Sequence, residues 1–416
     1  MREMKDSGTV WLGTIPANWD IARIGSFYRL RNTKVSDTDY PPLSVTNKGV
    51  VPQLETAAKT NAHDDRKLVK KGDFAINSRS DRRGSCGIAP CDGSVSLINT
   101  ILSPMGEMNP RYYDWLFHTI EFGDEFYKCG HGIVDDLWTT GWQDMKKILI
   151  PYPSLAEQEK IANFLDSQCS QIDAISADIQ KEIEILEQYK RSVITEAVTK
   201  GLNPDVEIKD SGIEWVRNIP AHWDTIPIRY LFAECRLKNI LNQEKTALKF
   251  TYGTIIKKTN FDSDSDEYVA NTMTNYTVVY PGTIMINGLN LNYDFVSQRV
   301  GLVKDRGAIT SAYLAIVPGS RVVSEYANYQ LKSWDYAKAF HNMGTGVRKT
   351  LDFSELGKKY FVTPSIEEQS TIVAFLDSKC KEIEAIIASK KQQLTVIDSY
   401  KKSLIYEYVT GKKEVI

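Results

Sequence analysis

Residues 153–169 read PSLAEQEKIANFLDSQC, and residues 364–380 read PSIEEQSTIVAFLDSKC. One helix start is thus written twice, 211 residues apart. In each copy a proline precedes a serine, and a glutamate follows three residues later. Ser154 with Glu157 and Ser365 with Glu368 have the pattern of a capping box, which satisfies the free N–H groups of a helix start. Downstream, apolar residues recur alternately four and three apart. The first copy offers Ile161, Leu165, Ile172, Ile175, Ile179, Leu186, Tyr189 and Val193, interrupted at Gln168 and Glu182. The second offers Ile372, Leu376, Ile383, Ile386, Ile397, Tyr400 and Leu404, interrupted at Lys379, Lys390 and Gln393. Gly201 and Gly411 stand where such helices would end. This is a coiled-coil-like stripe. A helix over 154–200 would be about 70 Å long at 1.5 Å per residue. A stripe of that length must be buried, and the obvious partner is its own duplicate.

The rest of the chain is doubled too. Asp6-Ser7-Gly8 returns as Asp210-Ser211-Gly212, and Ile15-Pro16-Ala17 with Trp19 returns as Ile219-Pro220-Ala221 with Trp223. A period this long means two copies of a domain plus its appendage, not a solenoid. Short alternating runs such as Asp73–Asn77 and Thr283–Asn287 read as half-buried strands, while 111–127 and 324–341 read as helical. The class expected is α+β: two mixed, strand-rich globular domains separated by two long helices that pair as an antiparallel coiled coil, with a pseudo-two-fold internal repeat. The expected boundaries are 1–153 (first domain), 154–200 (helix), 201–211 (linker), 212–364 (second domain), 365–411 (helix) and 412–416 (tail).

Composition excludes several classes. With 42% hydrophobic and 25% charged residues the chain has enough apolar content for packed cores and is not a disordered polymer. No apolar run is long enough for a membrane-spanning helix, and MREMKDSGTVWLG lacks a signal-peptide core, so a cytoplasmic location is the expectation. The six cysteines contain no CxxC pair, which argues against a disulfide framework or a zinc site. The net charge of −2 gives no global support for tight, solitary nucleic-acid binding. Residues 154–200 carry 5 basic and 9 acidic residues, so the first long helix suits protein better than phosphate.

In order and spacing these doubled motifs resemble the specificity subunit of type I restriction–modification systems. The resemblance rests on Trp11-Leu12-Gly13 through Ile15-Pro16 to Trp19, its partner Trp215 through Trp223, the Glu157-Gln158 and Glu368-Gln369 helix starts, and the connector Gly201-Leu202-Asn203-Pro204-Asp205. It covers essentially the whole chain. It implies a non-catalytic DNA-recognition subunit with two target-recognition domains, each reading half of a split, asymmetric site. The helices would fix the spacer and dock methyltransferase subunits, expected to number two, and a restriction/translocase subunit could join. S-adenosylmethionine, ATP and Mg would belong to those partners, with no cofactor or metal in this chain. A pseudo-dimer also matches the local two-fold symmetry of duplex DNA. The rival readings are a coiled-coil scaffold that never touches DNA and a specificity part of a fused methyltransferase or nuclease system.

The repeat points to the reading loops. Asp73–Asn77 aligns with Thr283–Asn287, and Gly87 with Gly301, but the segments between them differ in length and chemistry. Arginine suits guanine, while asparagine or glutamine suits adenine. The DNA-contact candidates are therefore Asn77, Arg79, Arg82 and Arg83 in the first copy. In the second they are Asn287, Asn290, Asn292, Gln298 and Arg299. A second loop pair, Gly130-His131-Gly132 against Gly344-Thr345-Gly346, adds Arg348 and Lys349. Asn109-Pro110-Arg111-Tyr112 departs from the methyltransferase Asn-Pro-Pro-Tyr motif and reads as a helix start. Pro204-Asp205 and Glu207-Ile208-Lys209 lie too close together for a nuclease metal site.

Overall fold

Both long helices begin where the doubled motif places them, in a computed structural model that describes all residues except 1, 54–63, 80–81, 133–137, 259–272, 297, 348 and 416. Five helices position the candidate site: α1 (Pro110–Phe117), α2 (Ile120–Lys128), α3 (Leu155–Lys200), α4 (Ser324–Tyr336) and α5 (Ile366–Val409). The serine half of each capping box is made. The Glu157 N–H donates to Ser154 Oγ at 3.3 Å, and the Glu368 N–H to Ser365 Oγ at 3.2 Å. The glutamate half is diverted to the globular part: Glu157 accepts from Trp19 Nε1 at 2.8 Å, and Glu368 lies 3.1 Å from His222 Nε2. Gly201 (φ 75°) and Gly411 (φ 70°) supply the left-handed exits. Among the described residues no helix is long and apolar enough to cross a membrane.

The chain divides into two compact units, and the division runs through both long helices. Unit 1 is Met1–Gln180 with Lys391–Ile416, and unit 2 is Lys181–Lys390. In unit 1, Ile161, Leu165 and Ile172 share a core with Leu404, Ile405 and Val409. The ring of Phe164 lies 4.4 Å from that of Tyr408, and Lys401 Nζ reaches Asp173 at 2.6 Å. In unit 2, Ile194, Ala197 and Val198 share a core with Ile372, Leu376 and Cys380. There Lys390 pairs with Glu182 at 2.6 Å, and Lys190 pairs with Glu384.

Burial corrects the phase of the apolar stripe. Ile161, Leu165, Ile172, Ile179, Ile372, Leu376, Ile383 and Leu404 are buried, and Leu186 and Ile397 are partly buried. Ile175 and Ile386, expected in the helix-pair interface, are instead 52% and 41% exposed. Buried residues stand one position after Gln168, Glu182, Lys379 and Ile386: they are Cys169, Ile183, Cys380 and Ile387. Neighbouring helical side chains point about 100° apart, so Ile387 is buried beside an exposed Ile386.

The strand-rich parts share a sheet order. In unit 1 the antiparallel order is Cys86–Ile88, Phe74–Asn77, Asn99–Pro104, Tyr28–Arg31. In unit 2 it is Val300–Leu302, Ile284–Ile286, Leu314–Pro318, Phe232–Glu234. The class is α+β. The strands expected to be half-buried are buried on both faces. Phe74 and Ile76 enter the aromatic core with α1 and α2, while Ala75 enters a second core with Leu43 and Val50 from a covering hairpin. Ile284 and Ile286 are divided from Met285 in the same way. The helical stretch after Asn109 breaks at Thr119, whose Oγ1 accepts from the Phe122 N–H at 3.2 Å and starts α2. Asn109 caps α1 through the N–H groups of Arg111 and Tyr112, so the Asn-Pro-Arg-Tyr stretch is a helix start.

The repeated residues are the ones that fasten each globular part to a long helix. Gln158 is fully buried; its Oε1 accepts from the Asn109 N–H at 2.8 Å, and its Nε2 donates to Pro153 O at 2.9 Å. Gln369 does the same with the Val323 N–H and Pro364 O. The hydroxyl of Tyr112 donates to Val409 O at 2.7 Å and that of Tyr326 to Val198 O at 3.4 Å, each satisfying a last-turn carbonyl of a long helix.

Candidate nucleic-acid interface

In each unit the central strand runs out into a loop that an asparagine closes. Asn77 Oδ1 accepts from the Arg79 N–H at 3.0 Å, while the Asn77 N–H donates to Ser85 O at 2.8 Å. In unit 2, Asn287 Oδ1 accepts from the Leu289 N–H at 3.2 Å, and the Asn287 N–H donates to Arg299 O at 2.8 Å. Short polar side chains bonding the backbone two residues on are typical turn formers. Asn77 is buried and serves the loop from within, which takes it out of reach of DNA, whereas the half-buried Asn287 commits its Oδ1 to its own turn.

The two loop pairs read from the sequence meet in space within each unit. In unit 1 the Thr140 N–H donates to Ser78 O at 2.9 Å, and Thr139 bridges both Arg79 and His131. In unit 2 the Leu291 N–H donates to Lys349 O at 3.1 Å, the Leu351 N–H to Gly288 O at 3.0 Å, and Asn292 Nδ2 to Val347 O at 3.1 Å. Asn292 is therefore a bridge between loops, and only partly accessible.

The chemistry of the two surfaces differs. Unit 1 exposes Arg79, Arg82 and Arg83. Arg83 is held over the Tyr127 ring at 4.0 Å, with Asp124 at 2.8 Å from its Nη1. Unit 2 exposes Asn290 (φ 51°), Gln298 and Lys349 (φ 37°). It also exposes apolar side chains that sequence reasoning missed: Tyr293, Phe295, Val296 and Val347. The ring of Phe295 stacks on His341 at 4.5 Å. Their only sequence signal was an apolar residue inside an otherwise polar loop. Arg348 lies outside the described residues.

Arg299 is the clearest correction. It is fully buried, and its guanidinium donates to Asn287 O and Leu289 O at 2.9 Å each and to Asp294 O at 2.5 Å. Burial lowers its pKa, and the carboxylates of Asp294 and Asp335 oppose that. It braces the loop from beneath and offers no donor to DNA. Among the described residues no cluster of histidine, cysteine and carboxylate side chains could hold a metal ion.

One sheet order is thus built twice, with braced but chemically unlike loops at the same place in each unit. No protein-family model matches the chain. The type I restriction enzyme MjaVIII specificity subunit of Methanocaldococcus jannaschii is 22% identical, across 96% of this chain and 94% of its own length. The putative MjaX specificity subunit of the same organism is 24% identical across 65% of this chain and 60% of its own. Among solved structures, a chain of a type I R-M system described for its assembly and conformational transition superposes with a TM-score of 0.70 at 13% identity, covering 96% of this chain and 99% of that one. The HsdS subunit of Thermoanaerobacter tengcongensis gives 0.51 at 13% identity, covering 96% and 98%. Over nearly its whole length the chain is thus similar to the specificity subunit of a type I restriction enzyme, and it shares its fold with solved chains of such systems.

Proposed function

We propose that the chain is the DNA sequence-recognition subunit of a type I restriction–modification complex, in which the globular parts over 1–153 and 212–364 are target-recognition domains for the two halves of an asymmetric duplex site. The observation that carries this is the loop pair: the same position on the same sheet order, with arginines in unit 1 and amide, lysine and apolar groups in unit 2. Arg79, Arg82 and Arg83 suit guanine edges or phosphates, while Asn290 and Gln298 suit adenine. The two half-sites differ accordingly.

α3 and α5 pair as an antiparallel coiled coil that sets the spacer and docks the methyltransferase subunits, two of them. Support comes from the contacts within each unit: 164 meets 408 and 173 meets 401 in one, and 182 meets 390 and 190 meets 384 in the other. S-adenosylmethionine, ATP and Mg act on those partners and on a restriction/translocase subunit, in the cytoplasm. With a net charge of −2 the chain alone binds DNA weakly, and the assembled complex supplies most of the phosphate contacts. The test is a selection from a randomised duplex library by the chain assembled with methyltransferase subunits. A split consensus is expected, with one half altered by Arg82→Ala. Binding without sequence preference, or no binding, would leave the scaffold reading in its place.

A further inference from the structure

We propose that Tyr252 is a specificity-determining residue of unit 2, in direct contact with the half-site that unit reads; this rests on the recognition function above and deepens it. Strands Leu248–Thr251 and Thr254–Lys257 form a hairpin turned by Tyr252-Gly253 alone. Both turn residues have positive φ, 46° and 72°. Such turns belong to Asn-Gly or Gly-Gly, because a Cβ and a bulky ring are strained in the left-handed region. The ring gains nothing from burial in return, since Tyr252 is 82% exposed. A residue that is poor for the turn and idle in the core is explained by what it presents outward.

The root of the hairpin is firm. Leu248 and Ile255 are buried in a core with Val279 and Met285, and the Phe250 ring packs 5.4 Å from Tyr313. The tip lies beside the reading loop: a Cβ on Gly253 would stand 2.7 Å from Gln298 Oε1. In unit 1 the matching hairpin, Leu43–Thr46 with Gly49–Pro52, lies equally close to the sheet, where a Cβ on Gly87 would stand 2.7 Å from Gly49 Cα. Its tip is Asn47-Lys48 instead. A constant root with a variable tip extends the pattern of the reading loops to a third element. The phenol offers a flat apolar face for a thymine methyl or a sugar and a hydroxyl for a base edge.

The experiment uses the full chain assembled with methyltransferase subunits and compares Tyr252→Gly with the parent. Glycine removes the ring and relaxes the turn, so the variant should melt at the parent's temperature or above it. In the duplex-library selection it should lose preference at one or two positions of a single half-site. Binding to the parent's consensus duplex should fall about ten-fold, the loss typical of one missing base contact. Unchanged affinity and consensus would overturn the proposal. So would a melting temperature several degrees below the parent, which would make the ring structural. A parent complex that selects no consensus would instead remove the recognition reading itself.

Discussion

Replacing Arg299 with methionine tests whether the unit 2 loop is held from below. The side chain is wholly buried and donates three hydrogen bonds, to the carbonyls of Asn287, Leu289 and Asp294. Methionine keeps most of the apolar stem and deletes the donors, so it separates bonding from packing. Bonds to a charged group contribute about 1.5–3 kcal/mol each, and a loop near the surface can recover water at some of its carbonyls, so a net loss of about 3–5 kcal/mol is expected. For a unit of roughly 200 residues that corresponds to a fall of about 10 °C in its melting transition. Hydrogen exchange should localise the effect. The amides of Asn287, Leu291 and Leu351, which close the loop pair, should exchange faster, while those of Asn77 and Thr140 in unit 1 keep their protection. Half-site selection should broaden only where unit 2 reads. A variant that melts within about 1 kcal/mol of the parent, with Asn287 and Leu351 still protected, would refute the brace.

The same geometry sets three further expectations. Ile387→Ala should cost about 2–4 kcal/mol in urea unfolding, and the adjacent Ile386→Ala less than about 1 kcal/mol, because only the first is buried; equal costs would contradict the corrected phase. Gly411→Ala should destabilise unit 1 by more than about 2 kcal/mol, since φ is +70° and the new Cβ would stand 2.4 Å from Pro16 Cγ, whereas Gly201→Ala, with Trp223 at 3.2 Å, should be milder by thermal melting. Burial raises the pKa of Asp114, with Asp166 adding to this and His118 opposing it. Its protonated form is thus favoured by the fold, and the stability it contributes is full below the unfolded carboxylate pKa and lost as pH rises through the folded one. Asp114→Asn should therefore stabilise the protein near pH 7 and lose that advantage as melting is followed down toward about pH 4, near the unfolded carboxylate range.

The long helices were legible because their signals are local: proline, serine and glutamate at one end, glycine at the other, and an apolar residue every third or fourth position between. Their phase was legible except at Ile175 and Ile386, and the interruptions held the clue. Gln168, Glu182 and Lys379 each stand immediately before a buried Cys169, Ile183 or Cys380. Polar residues on the supposed seam marked the places where it steps by one position, and reading cysteine as apolar would have shown two of them. The strands were placed correctly and their burial was underestimated. Alternation at Phe74–Asn77 speaks of one covered face, and the second cover comes from a hairpin some thirty residues upstream that no local pattern announces.

The reading loops show a different limit. An offset change between the copies located the first loop pair, because insertions accumulate where a scaffold tolerates them, and the paired Gly-x-Gly located the second. Residue type then suggested which side chains would face DNA, and here it misled at the buried Asn77 and Arg299. A loop that presents some groups rigidly must consume others to hold its own backbone, and the residues best at bonding a base edge are also the best at bonding a carbonyl or an amide. Arginine's five donors can fork onto guanine or, as at Arg299, onto three loop carbonyls. Composition alone cannot divide the two uses. Position relative to the strand can: Asn77 ends the central strand of unit 1 and Asn287 directly follows that of unit 2, where the turn must close, and Arg299 directly precedes the returning strand at Val300. On the proposed function, the readers are to be sought among the exposed side chains at the middle of each loop and at the hairpin tip beside it.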